Sequence, residues 1–210
     1  MRIPLLIPIL FVAATASAQT QREPIVGLPC EGCEAVFDGM PSALHPRARI
    51  APKSEPGAPM LVTGRVLGPT GQPQSGIVIY AYQTNSRGIY PESLAVRDPG
   101  TRRHGALRAW VKTGPAGQFS FDTIRPGSYP AADIPEHIHL HVVEPGCATY
   151  YIDDIMFADD PKLSIKQIKG SAMARGGNGI STPVRKDGVW LVTRDIHLGK
   201  NIPGYRPCGS

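Results

Sequence analysis

Glycine or proline interrupts this chain so often that a long helix has almost nowhere to form. Its 210 residues include 23 glycines and 22 prolines, about a fifth of the total against a usual level near 12%. Proline removes a backbone donor and fixes φ, and glycine gives up more backbone freedom on folding than any other residue. What fits between the breaks is a series of short runs rich in β-branched and aromatic residues, the types that favour strands. Residues 60–67 alternate around Val62 and Val66, Gly68-Pro69-Thr70-Gly71 reads as a turn, and 77–82 form a second run. Residues 107–112 and 118–124 are expected to pair as a hairpin through Thr113-Gly114-Pro115-Ala116-Gly117, with Phe119 and Phe121 on one face. Runs at 137–143, 149–157 and 189–198 follow, and only 160–168 reads as helical. The expected fold is all-β: an antiparallel β-sandwich whose long loops, 84–105 and 170–188, carry the site. The stretch Arg175-Gly176-Gly177-Asn178-Gly179 is no phosphate loop, because it lacks the Lys-Ser/Thr of a Walker sequence.

With 41% hydrophobic and 19% charged residues, the chain can bury a core. Residues 1–18 read as a signal peptide: Arg2, an apolar run at 4–14 too short to anchor in a bilayer, and Ala16-Ser17-Ala18 before Gln19. The expected organisation is therefore a signal peptide at 1–18, an irregular Pro/Gly-rich arm at 19–58 and one β-sandwich domain at 59–210. Export to the periplasm or beyond is expected, with no membrane attachment after cleavage. The formal net charge is +5, and removing the leader, whose one charge is Arg2, leaves +4. The basic residues are scattered without interleaved aromatics, which argues against a nucleic acid partner.

Four cysteines, Cys30, Cys33, Cys147 and Cys208, allow three pairings in an oxidising compartment. Cys30-Glu31-Gly32-Cys33 could be a redox pair or half of a zinc site, but no second CxxC and no neighbouring histidine in the sequence completes it. Structural bridges are expected, Cys30 with Cys33 and Cys147 with Cys208.

The chemistry concentrates in Pro135-Glu136-His137-Ile138-His139-Leu140-His141. In a strand, residues two apart project to one side, so three of the chain's six histidines share a face. Neutral imidazole is the commonest metal ligand, although a polar exposed strand face would show the same pattern. Upstream, Thr123-Ile124-Arg125-Pro126-Gly127-Ser128-Tyr129-Pro130 and Gln83-Thr84-Asn85-Ser86-Arg87-Gly88-Ile89-Tyr90 each place a tyrosine at a loop.

These elements, together with Gly64-Arg65-Val66 and Gly71-Gln72-Pro73, occur in an order that resembles the intradiol ring-cleavage dioxygenases, the family of catechol 1,2-dioxygenase and protocatechuate 3,4-dioxygenase. The likeness runs over about 61–157. It implies one mononuclear non-haem Fe(III) held by Tyr90, Tyr129, His137 and His139, a hard cation able to keep phenols as phenolates. It also implies a small-molecule catechol and O2 as substrates and ring cleavage between the two hydroxylated carbons to a muconate-type dicarboxylic acid. Tyr129 would be the catalytic ligand that dissociates and accepts a substrate proton, with His139 opposite it, while Tyr90 and His137 stay bound. The chain lacks room for the family's helical dimerisation element and looks closer to its small exported members; a homodimer stays open.

Two departures matter. The family's arginine three residues before the first ligand histidine is Ile134 here, and its glutamine fifteen residues after the second is Asp154. Arg87, Arg103 or Arg125 could fill the electrostatic role, and His104, His141, Arg125 and Asp154 are candidates for places behind the ligands. The rivals are a non-catalytic transthyretin-like β-sandwich binding module, suggested by Gly64-Arg65-Val66 with Gly76-Ile77-Val78-Ile79, and an exported zinc- or copper-binding protein without oxygenase activity.

Overall fold

The computed structural model describes residues 23–30, 32–93, 96, 99–170 and 174–208; the expected signal peptide at 1–18 lies outside them. Eleven strands among these residues form two sheets: β1 Arg47–Arg49, β2 Pro59–Leu67, β3 Val78–Gln83, β4 Arg108–Lys112, β5 Gln118–Ile124, β6 His137–Glu144, β7 Ala148–Phe157, β8 Ile180–Ser181, β9 Val184–Lys186, β10 Val189–Thr193 and β11 Ile196–His197. One sheet runs β1-β5-β2-β10-β9, with β11 also paired to β2, and the other runs β4-β3-β6-β7-β8.

The all-β expectation holds, but the sandwich is not strictly antiparallel. Four pairs are parallel: β1 with β5, β10 with β2, β11 with β2, and β7 with β8. Each involves a short strand delivered from outside the central meander, so the pairing direction follows where a loop returns rather than a hairpin turn. The expected hairpin at 107–124 is also corrected. β4 pairs with β3 and β5 with β2, so residues 113–117 cross between the sheets. Thr113 makes the crossover, accepting from Ile77 N at 3.0 Å and donating to Gln74 O at 2.7 Å through its hydroxyl.

Three further boundaries differ from expectation. The arm is not wholly irregular, since β1 joins the sheet and Ile50 and Ala51 enter the core. The run at 189–198 breaks between β10 and β11, where the Asp195 carboxylate accepts from Arg65 N at 2.9 Å in place of a ladder partner. The helix expected at 160–168 is displaced to α2 Ile165–Gly170, because Asp160 turns its carboxylate onto Lys162 N and Glu136 N and so favours a turn over helix. The loop at 84–105 carries the short helix α1 Pro99–Arg102, and that at 170–188 carries β8 and β9.

Between the sheets Met60, Val62, Phe119 and Phe121 pack against Ile79, Ala81, Val111, Ile138, Leu140, Ile152, Ile155 and Phe157. Burying a side chain of this size stabilises by about 1.5–3 kcal/mol. The second sheet is covered on its other face too. There Val78, Tyr80, Tyr82, Trp110 and Val143 pack with Val36, Phe37, Leu44 and Tyr90, and Trp110 Nε1 donates to Val36 O at 2.6 Å, fixing the 3-10 turn Cys33–Val36 onto the sheet. Strand alternation puts His137, His139 and His141 on this covered face, with His139 opposite Tyr82 and His141 opposite Tyr80. Both disulfides have the expected pairing, Cys30–Cys33 and Cys147–Cys208.

Candidate metal centre and active site

The two tyrosines are positioned by loops that are joined backbone to backbone. Asn85 folds the first, its side chain accepting from Arg87 N at 3.0 Å and Ile89 N at 3.1 Å. Gly127 N donates to Asn85 O at 2.8 Å, and the Thr84 hydroxyl donates to Gly127 O at 2.8 Å. Gly88, at φ 76°, faces Ser128 so closely that any Cβ would collide with its carbonyl oxygen. Each loop therefore needs its glycine to approach the other, and the approach brings Tyr90 and Tyr129 together.

Four donor atoms converge. Tyr90 Oη and Tyr129 Oη lie 2.6 Å apart, and Tyr129 Oη lies 3.1 Å from His137 Nε2 and 3.4 Å from His139 Nε2. His139 Nε2 is 2.9 Å from Tyr90 Oη and 3.1 Å from His137 Nε2. The other ring nitrogens settle the tautomers: His137 Nδ1 is 2.7 Å from Pro135 O and His139 Nδ1 is 3.0 Å from Asp154 Oδ1. Both partners are acceptors, so each Nδ1 carries the proton and each Nε2 turns a lone pair inward. Two imidazole lone pairs facing each other at 3.1 Å repel unless the phenol protons or a cation lie among them. The donor set fits a hard, highly charged metal ion.

Electrostatics agree. Burial and the neighbouring Tyr129 push the Tyr90 phenol far above its ordinary range, and burial raises Tyr129. Burial and the neighbouring His139 lower His137. Alone, the site thus favours neutral phenols and a neutral His137, and anionic tyrosine requires a metal to stabilise it. Burial raises the Asp154 carboxyl, but the facing His139 and His137 outweigh it and hold it ionised below its usual range.

Not every expected neighbour takes part. Asp154 does, through His139. His104 lies a layer back, stacked on Tyr82 with ring centroids 3.8 Å apart and its Nδ1 3.0 Å from Tyr80 Oη. His141 is directed instead toward Cys30. Arg125 is corrected: Glu136 at 2.6 Å and Asp159, bidentate at 2.8 Å, hold its guanidinium, which also lies over the Phe157 and Trp190 rings. It braces the strand that starts at His137 rather than facing the four donors. Arg87 and Arg103 are exposed. Sequence reasoning missed Arg175, which lines a cleft of about 240 Å³ with Tyr82, His139, Asp154 and Tyr151. Its signal was the break of glycines after it. It also missed Arg194, fully buried, which donates to the carbonyls of Gly176, Asp195 and Asp153 at 3.1, 2.7 and 3.2 Å and so shapes the turn that carries Arg175.

The sequence profile of the family described as Dioxygenase matches residues 38–181, a span that includes all four donors and Asp154. This chain belongs to the intradiol ring-cleavage dioxygenase family. It is 37% identical over 76 residues to catechol 1,2-dioxygenase 1 of Acinetobacter lwoffii, covering 36% of this chain and 23% of that one. It is 29% identical over 224 residues to 6-chlorohydroxyquinol 1,2-dioxygenase of Cupriavidus pinatubonensis, covering 94% and 74%. The chain spans about a quarter to a half of the length of three curated relatives it matches. Among solved structures, the dioxygenase domain of a dioxygenase and carbohydrate-binding protein fusion from Streptomyces sp. SirexAA-E superposes with a TM-score of 0.58 at 22% identity, covering 84% of this chain and 98% of that one. That likeness shows a shared fold. Family membership and the convergence of the four donors disfavour the transthyretin-like binding module, which has no reason to assemble them.

Proposed function

We propose that this member of the intradiol family is an exported enzyme that uses one ferric ion and O2 to cleave catecholic rings between their hydroxylated carbons, giving muconate-type dicarboxylic acids. The observation that carries the reading is the meeting of Tyr90, Tyr129, His137 and His139 within 2.6–3.4 Å across the contacts given above. Ferric iron held by these four residues would supply Lewis acidity and electronic activation of a bound catechol toward dioxygen. The chain's own residues then divide the work. Tyr129 Oη, flanked by both imidazoles and less deeply buried than Tyr90, is the group to take a proton from the incoming catechol. Tyr90, packed on Tyr82 and the apolar cluster, stays in place. Pro135 O and Asp154 Oδ1 keep both rings oriented. Arg175 lines the cleft behind His139 and Asp154, where its guanidinium is paired with Asp153 at 2.7 Å and donates to the Tyr151 hydroxyl at 2.6 Å, so it braces the strand that carries Asp154. Export rests on the signal-peptide pattern at 1–18, and two closed disulfides accord with it.

Oxygen uptake by the iron-loaded chain against a panel of catechols, with products separated by chromatography, tests this. One O2 consumed per muconate formed is expected. Extradiol semialdehydes, or no uptake by a chain that holds iron stoichiometrically, would overturn it.

A further inference from the structure

The Cys30-Glu31-Gly32-Cys33 motif lacked a histidine in the sequence around it, and the fold supplies one from 111 positions away: Cys30 Sγ lies 3.6 Å from His141 Nε2. Cys30 Sγ, Cys33 Sγ and a ring nitrogen of His141 all lie within 4.8 Å of one another. We propose that when the Cys30–Cys33 disulfide is reduced, Cys30, Cys33 and His141 bind one Zn²⁺, forming a second metal centre behind the four-donor site.

Geometry comes first. Zn–S near 2.3 Å and Zn–N near 2.0 Å at a tetrahedral angle place sulfur and nitrogen about 3.5 Å apart, close to the Cys30–His141 separation. Cys33 and His141 are held independently of the disulfide. Trp110 holds the Cys33–Val36 turn through Val36 O, and Gly32, at φ 78°, sits so near His104 that a Cβ would come within 2.8 Å of its Nε2. His141 is held by strand pairing to Tyr80 and Tyr151. The imidazole is also one that the four-donor site does not use: it is 3% exposed, and its Nδ1 has no hydrogen-bond partner among the described residues. Charge fits as well, since two thiolates and a neutral imidazole around Zn²⁺ sum to zero, the total that a buried pocket tolerates best.

The chemistry balances with a dithiol as reductant. Its thiolate attacks one sulfur of Cys30–Cys33, and its second thiol resolves the mixed disulfide. The reductant leaves as a cyclic disulfide, and Cys30 and Cys33 remain as thiols. Zn²⁺ then displaces two thiol protons to solvent and binds both sulfurs and His141 Nε2, with water as the fourth ligand. Cys30 is only partly buried and lines the same cleft as Arg175, so a reductant has a route to it. In a reducing compartment a CxxC with a histidine is more often metal-binding than bridged.

The test uses the full-length, metal-depleted chain, oxidised and phosphine-reduced, titrated with Co²⁺ and then Zn²⁺. The reduced chain should show a thiolate-to-cobalt charge-transfer band that Zn²⁺ abolishes at one equivalent, and the oxidised chain should not. Glu144, Cys147 and Cys208 form a comparable cluster, so the band must survive Cys147→Ser/Cys208→Ser and vanish in Cys30→Ser/Cys33→Ser. His141→Gln should weaken Zn²⁺ binding by about tenfold or more. A reduced, folded chain without the band overturns the proposal. So does a band that follows Cys147 and Cys208, zinc affinity unchanged in His141→Gln, or loss of far-ultraviolet circular dichroism on reduction that Zn²⁺ does not restore.

Discussion

His139 Nδ1 and Asp154 Oδ1 meet at 3.0 Å across β6 and β7, which fixes the direction in which the His139 Nε2 lone pair points. A carboxylate in this place makes the imidazole a stronger donor than an amide would, because the charge-assisted bond draws the Nδ1 proton toward oxygen. Asp154→Asn keeps a weaker acceptor, and Asp154→Ala removes it. Iron affinity, measured by competition with a chelator, should fall in the order wild type, Asn, Ala, by about 10–100-fold at the end of the series. The visible absorption of the iron-loaded protein should shift in Asp154→Asn while iron stays bound.

Phenolate bound to ferric iron absorbs visible light, so the two tyrosines can be counted by colour. Iron-loaded wild type should be burgundy, and Tyr90→Phe or Tyr129→Phe should shift or bleach the band in absorption spectra. A Tyr129→Phe chain that keeps its full band and its turnover would remove Tyr129 from the proton-accepting role.

Gly88 is expected to matter for iron although it carries no donor. Its positive φ and its approach to the Ser128 carbonyl both oppose a side chain, so Gly88→Ala must push the two tyrosine loops apart. A loss of about 1–3 kcal/mol in urea unfolding is expected, with iron retention falling alongside it. Gly71, also at positive φ (84°) but with nothing within 4 Å of a Cβ, is the control. Gly71→Ala should lose only the φ cost, about 1 kcal/mol, and leave iron content unchanged.

Much of this was legible in the sequence for definite reasons. Runs of β-branched and aromatic residues exposed seven of the strands, β2 to β7 and β10, because each buries at least one apolar face, and the H-x-H spacing gave the shared face of His137 and His139. The loop tyrosines were legible only through the order of motifs, since nothing local says that loops 39 residues apart along the chain touch. β1, β8 and β9 were not legible, being two or three residues long and paired at sheet edges, where composition carries no signal. The hairpin expected at 107–124 failed because a turn sequence dictates a reversal but not whether the strands it joins stay in one sheet. Arg194 failed for a different reason. A charged residue after a strand reads as surface, and only the tertiary fold shows four carbonyls gathered around it.

Arg194 should therefore be among the least replaceable residues outside the four-donor site. Burial lowers its pKa to about 10, so it is charged at neutral pH and held by Gly176, Asp195, Asp153 and Arg175 carbonyl oxygens. Arg194→Met leaves those carbonyls without their donor and should cost about 3–5 kcal/mol in chemical denaturation. A milder Arg194→Lys, which keeps the charge and loses the fork, should cost less in the same denaturation experiment than Arg194→Met.

Acid should loosen β1 from β5. Arg47 binds Asp122 with two hydrogen bonds, 2.7 and 2.8 Å, and Arg49 stands 3.6 Å from the same carboxylate, an arrangement that ties β1 to β5. The Arg47 hydrogen bond lowers the Asp122 pKa from its ordinary 3.8, more than partial burial raises it. A carboxyl with a lowered folded-state pKa binds fewer protons folded than unfolded, so its contribution is present above about pH 4 and is lost as pH falls through the folded value. The pair is largely exposed and screened by salt, so the effect is small. Urea midpoints measured from pH 6 to pH 2 should fall more steeply for wild type than for Arg47→Ala. The two curves should converge at the acid end, and 1 M salt should narrow the gap at pH 6. Parallel curves across the whole range would show that β1 is held by its backbone ladder and the burial of Ile50 and Ala51 alone.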